Sequence, residues 1–155
     1  MSRVQHRNAS LQAIVQLRRL VERRAQSATM VAEQRVIQAK HQQHAEHERL
    51  DETVSQWAAL FDGGVLEPEL VQSWGGAVNR QVKRLDAAGL ALVDEQQQLT
   101  AAQKSQYRAS AETDCAEALW RRARVRYAAW REELALAEVG DAITRQHMTL
   151  PRRES

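Results

Sequence analysis

The run Phe61-Asp62-Gly63-Gly64-Val65-Leu66-Glu67-Pro68 is the one clear turn signal in the interior of this 155-residue chain. Asp-Gly-Gly ends a helix, because glycine readily takes the left-handed conformation that closes a helix C-terminus. Pro68 suits the first turn of the next helix, where a missing N–H is no loss. No Gly or Pro precedes this run, and five of the six Gly lie between Gly63 and Gly89. The chain therefore breaks once. The pattern predicts helix 1 over about 2–60, a turn over about 61–68, helix 2 over about 69–146 and a frayed tail at about 147–155. Gly75-Gly76 is placed to loosen the first turns of helix 2.

Composition supports long helices. Ala, Arg, Leu, Glu and Lys make up 76 residues, and Gln adds 17 more. All are good helix formers. Seven aromatic residues and few β-branched ones argue against a β-rich or α/β domain. A single Cys excludes a disulfide scaffold within the chain. The longest apolar run, Ala87–Val93, falls far short of the ~20 residues that span a bilayer. Met1–Arg7 is polar and does not read as a signal sequence, so a cytoplasmic location is expected. The formal net charge of +2 does not point to nucleic acid.

Helix 2 carries the strongest periodicity. One heptad position runs Val71, Val78, Leu85, Leu92, Leu99, Gln106, Thr113, Trp120, Tyr127, Leu134. Its partner, three residues on, runs Trp74, Gln81, Ala88, Glu95, Ala102, Ala109, Ala116, Ala123, Trp130, Ala137. Sixteen of these twenty are apolar or aromatic, as a coiled-coil seam requires. A globular amphipathic helix would need a wider stripe and would drift out of phase over this length. In helix 1, Leu11, Ile14, Val21, Ala25, Ala28 and Ala32 read as one seam interrupted by Arg18. Leu50, Val54, Trp57 and Phe61 read as another, shifted in phase across the polar stretch Lys40–Arg49. That reading predicts local unwinding between them.

A short turn between long helices makes them antiparallel neighbours. The expected fold is all-α: a long antiparallel two-helix coiled-coil hairpin with an overlong C-terminal helix, forming one domain over 1–155. Folding about the turn sets Trp57 near Trp74, Ala32 near Leu99 and Leu11 near Trp120. Trp130, Leu134 and Ala137 continue the seam past the start of helix 1, and either await a partner or fray.

Charge is distributed unevenly. Between Asp51 and Asn79 there is no Lys or Arg, while Asp51, Glu52, Asp62, Glu67 and Glu69 give −5. At the other end, Arg3 and Arg7 are expected beside Arg121, Arg122, Arg124 and Arg126. The alternatives are ordinary solvated faces, or two ends that meet two partners of complementary charge.

Other constellations carry little chemistry. His41, His44 and His47 repeat every three residues and spread too far around a helix to converge on one metal ion. His44 and Glu48 can form an ion pair, and His47 could be a polar seam residue. Cys115 falls on the outer face, with no neighbouring base to activate it. No Gly-rich phosphate loop, nucleophile elbow or zinc spacing is present. No enzymatic activity, cofactor or metal is expected. The cluster Arg121-Arg122-Ala123-Arg124-Val125-Arg126 could touch phosphates, but seam residues run through it and Glu132-Glu133 follow, unlike a basic-region zipper.

Trp74 with Val78 and Leu85, the stretch Trp120-Arg121-Arg122-Ala123-Arg124…Trp130-Arg131-Glu132-Glu133, and the ending Glu138-Val139-Gly140-Asp141-Ala142-Ile143-Thr144-Arg145 resemble one family. Together with the hairpin, the small-residue turn and the overlong second helix, they are similar to the FliJ/YscO central-stalk proteins of bacterial type III secretion and flagellar export. Gly140 and Ala142 depart from the family's ending. The Ala/Arg/Gln bias and the Asp-Gly-Gly turn fit a divergent, non-flagellar member from a GC-rich bacterium. The resemblance implies a cytoplasmic, non-enzymatic stalk that is a monomer when free. Its terminal end sits in a hexameric export ATPase and promotes hydrolysis, and the rest reaches the cytoplasmic ring of the export gate. Some members also recycle secretion chaperones. The resemblance assigns the ATPase ring to Arg3, Arg7, Arg121, Arg122, Arg124, Arg126, Trp130 and Leu134, and the gate to Phe61, Trp74 and Val78. Trp74 and Val78 read equally well as seam residues. Competing readings are a structural or adaptor coiled coil that self-associates into a helical bundle, and a basic coiled coil bound to nucleic acid.

Overall fold

The computed structural model describes residues 3–64 and 67–149, with the backbone alone for residues 4 and 5. Two helices account for nearly all of them: α1, Arg3–Asp62, of 60 residues, and α2, Pro68–Thr149, of 82. They pack against each other as a two-helix hairpin, and the described residues contain no strand. The break falls at the glycines. The Gly63 N–H donates to the Leu60 carbonyl at 3.3 Å, tightening the last turn of α1. Gly64 then takes φ +81°, the left-handed value that a side chain would resist. At the start of α2 the Val71 N–H reaches the Glu67 carbonyl at 3.2 Å. Glu67 and Glu69 place negative charge where the helix dipole is positive. Val65, Leu66 and the tail from Leu150 onward lie outside the described residues. α2 remains helical through Gly75-Gly76 and on to Thr149, three residues beyond the expected end.

The helix contacts divide the chain into two units, Met1–Glu22 with Ala109–Ser155, and Arg23–Arg108. In the first, α1 turns Asn8, Leu11, Val15, Arg18 and Glu22 inward, against Ala109, Thr113, Ala116, Trp120, Ala123 and Tyr127 of α2. Val15 is 2% exposed and Thr113 3%. Arg18 pairs with Glu112, and the Arg19 Nε donates to Glu117 at 2.8 Å. Rising numbers on α1 thus meet falling numbers on α2 further along, since Asn8 and Gln12 share a groove with Trp120–Arg131. The helices are antiparallel.

In the second unit α1 buries or half-buries Ala25, Thr29, Ala32, Val36, Ala39, Gln43, Glu46, Leu50, Thr53 and Trp57. Opposite are Val71, Trp74, Val78, Gln81, Leu85, Ala88, Leu92, Glu95, Leu99, Ala102 and Gln106. The α2 seam is the one its heptads predict, polar members included.

The α1 seam is not. The expected phase slip is absent: the inward positions recur every seven residues from Asn8 to Trp57. Ile14, Val21, Val54 and Phe61, expected inside, are 42–46% exposed, and Ala28 is exposed too. Val15, Glu22, Gln43 and Glu46 hold the seam instead, and Arg18 lies in it as expected. The physical reason lies in the partner. A seam that keeps one 3.5-residue phase along α2 can be matched only by the same phase on α1. Arg18 adapts by leading its guanidinium out to Glu112 at the rim, whereas Glu46 stays buried. His47 is likewise exposed and pairs with Asp51 at 3.7 Å; its neighbour Glu46 is the buried residue.

Candidate functional site

The terminal unit builds a basic, aromatic surface on α2. Trp120, Ala123 and Tyr127 lie in the seam, half-buried, so the residues between them must point outward. Arg121, Arg122, Arg124 and Arg126 are accordingly exposed. The Arg124 guanidinium sits 5.0 Å from the Trp120 ring centroid, a cation–π contact that stiffens one arginine of the set. Tyr127 and Trp130 stack with ring centroids 5.8 Å apart. Asn8, Gln12, Trp120, Arg124, Tyr127 and Arg131 line one open groove. The antiparallel register that makes this groove sets Arg7 level with Arg124, and both Arg3 and Arg7 are exposed. The six arginines singled out from the sequence therefore share one unit.

Beyond them α2 runs on. Every residue from Ala128 to Thr149 is exposed. Trp130 and Leu134 are 36% and 47% exposed, on the side that continues the seam. Leu136, Val139 and Ile143 are 51–72% exposed. At about 100° per residue they form a second stripe on nearly the opposite side. Sequence reading missed this stripe, because it followed the main seam's phase only. Its signal is the 3-then-4 spacing of the three residues.

The turn end is acidic. Asp51, Glu52, Asp62, Glu67 and Glu69 are all exposed. Phe61 is 43% exposed and meets Trp57 edge-on, with centroids 4.5 Å apart. Trp74 and Val78 are half-buried seam residues, so of the three predicted gate residues Phe61 is the one displayed outward.

His44 and Glu48 pair as expected, Nε2 to Oε1 at 3.2 Å. Among the described residues no three His, Cys, Asp or Glu side chains gather where a metal ion could sit. Cys115 is an exposed free thiol. No helix among the described residues is long and apolar enough to cross a membrane. Comparison with protein-family models, curated proteins and solved structures returns no match.

Proposed function

We propose that this chain is the non-enzymatic central stalk of a type III secretion export apparatus, acting at the cytoplasmic face of that membrane-embedded machine. One end engages a hexameric export ATPase and stimulates it. The other contacts the cytoplasmic ring of the export gate. The observation that carries this reading is the far end of α2, where the exposed Trp130 and Leu134 follow directly on the exposed Arg121, Arg122, Arg124 and Arg126. An apolar stripe beneath a belt of charge is a surface suited to a partner with an apolar lining and an acidic rim.

A single asymmetric hairpin inside a six-fold ring cannot touch all subunits alike. Its orientation then biases some subunits over others, and successive turnover shifts that bias around the ring. Arg3 and Arg7 add to the belt from α1. At the acidic end Phe61 is the gate contact, while Trp74 and Val78 hold the helices together behind it.

The test is enzymatic. Added to the hexameric export ATPase of the same organism, the chain raises its hydrolysis rate and its hexamer fraction. A folded chain that changes neither overturns the proposal.

A further inference from the structure

Among the described residues, five polar atoms of the helix seam are buried without a hydrogen-bond partner: Asn8 Oδ1, Glu46 Oε2, Trp57 Nε1, Gln81 Oε1 and Glu95 Oε2. Such groups are rare in a settled native pairing. Four of them share a cause. In the terminal unit the Thr113 hydroxyl reaches the Arg18 carbonyl at 3.2 Å, which fixes the register. Counting outward along antiparallel helices sets Asn8 level with Ala123. In the unit Arg23–Arg108, Gln43 Nε2 lies 3.6 Å from where a side chain on Gly89 would begin, and Lys40, His44 and His47 share a groove with Leu85, Gly89 and Val93. The same count there sets Val36 level with Glu95, Leu50 with Gln81 and Trp57 with Trp74. Each of the four orphaned groups thus faces an alkyl chain or a ring.

Sliding α1 by one heptad along α2, towards Thr149, keeps every seam position in phase, because the inward positions of both helices recur every seven residues. It also supplies the missing partners. Trp57 comes level with Gln81, so the indole N–H donates to Oε1. Gln43 comes level with Glu95, so its amide N–H donates to Oε2. Asn8 comes level with Trp130, whose N–H donates to Oδ1. Trp130, now 36% exposed, is covered by the same move. A slide the other way leaves Asn8 against Ala116 and carries Trp57 past Pro68, beyond the start of α2. The connection is long enough: seven residues are about 10 Å of helix, and the chain from Asp62 to Pro68 reaches about 20 Å when extended. Charge holds the present register. Arg18 pairs with Glu112, and Arg19 with Glu117 at 2.8 Å. One heptad on, Arg18 meets Leu119 and Arg19 meets Arg124.

We infer that the hairpin is a two-register coiled coil, in which α1 slides one heptad along α2 from a register held by Arg18, Arg19 and Thr113 to one held by Trp57–Gln81, Gln43–Glu95 and Asn8–Trp130. The step is discrete, because any smaller slide puts the seams out of phase. The shifted register brings Arg19 onto Arg124, so an acidic surface bound at the terminal end favours it. α1 is one helix from Arg3 to Asp62, so that binding also draws Phe61 back from the turn. Under the stalk reading, this relays ring contact to gate contact. The slide itself does not depend on that reading.

Disulfide trapping in the full chain tests it, with Cys115→Ser throughout and each variant checked for unchanged helicity. V15C/A116C reports the present register, V15C/A123C the shifted one and V15C/A109C the opposite slide. The first two pairs oxidise within one chain, and the third stays reduced. A32C with L99C, Q106C or L92C reads the same three registers at a second place and gives the same order. R19E repels Glu117 before the slide and pairs with Arg124 after it, so it raises the V15C/A123C oxidation rate relative to V15C/A116C about tenfold. W57F lacks the indole donor and lowers that ratio about tenfold. Reduced V15C/A123C and A32C/Q106C, opposite-slide pairs that oxidise as readily, or a ratio that R19E and W57F leave unmoved overturns the slide. No ATPase takes part in these measurements, so their failure leaves the stalk reading to its own test.

Discussion

The hydroxyl of Thr113 donates across the helix pair to the backbone carbonyl of Arg18, 3.2 Å away, and shares its proton with the Ala109 carbonyl of its own helix at 2.9 Å. A side chain this short reaches the facing backbone only where the helices come close. Ala109, 7% exposed, permits that approach. Thr113→Val keeps the shape and removes the donor. Both carbonyls retain their helix partners, so the expected loss is about 1 kcal/mol or less in thermal unfolding. Thr113→Leu forces extra volume into the same place and costs about 1–3 kcal/mol.

Ala28 is expected in the α1 seam and lies outside it, while Ala32, four residues on, lies in it as expected. Ala32 is 8% exposed and buried against α2, whereas Ala28 is exposed. Ala32→Leu should overpack the seam and cost about 1–3 kcal/mol. Ala28→Leu should change stability by no more than ~0.5 kcal/mol. Chemical denaturation of the two variants decides between the phases; equal losses would place Ala28 in the seam.

Glu46 is a buried acid in a coiled-coil seam. Its Oε1 accepts from Gln42 and from Arg49, both at 2.9 Å, while its Oε2 is buried without a hydrogen-bond partner. Replacing such a group by an apolar one of similar size is often stabilising. Glu46→Leu is expected to raise stability by about 1–3 kcal/mol. Arg49→Ala should destabilise the native chain by about 1 kcal/mol and leave the Glu46→Leu chain unchanged, a coupling that a double-mutant cycle reads directly.

The two helices, their antiparallel pairing and the α2 seam from Val71 to Tyr127 are legible in the sequence because one turn and one strict heptad repeat specify them. The α1 seam is not, for a physical reason. Local reading prefers Ile14 and Val21 to Val15 and Glu22, one position on, because Glu22 is polar and in phase with the equally polar Arg18. Those polar residues occupy the seam because α2 fixes the phase and Arg18 can lead its charge out to Glu112. Ile14 and Val21, expected in that seam, are displaced from it and lie exposed. Of the partner residues, the arginines are legible as a cluster. That Trp74 and Val78 serve the seam follows from their heptad positions, while Phe61 escapes it by one position and lies outside.

The most direct measurement of the central claim is ATP hydrolysis by the hexameric export ATPase with the native chain and with a chain carrying R121E and R124E, both confirmed helical. The native chain stimulates hydrolysis, and the double reversal abolishes the stimulation. An unaltered rate with the reversed chain would contradict the assignment of the basic end to the ring. No stimulation by the native chain would contradict the stalk itself.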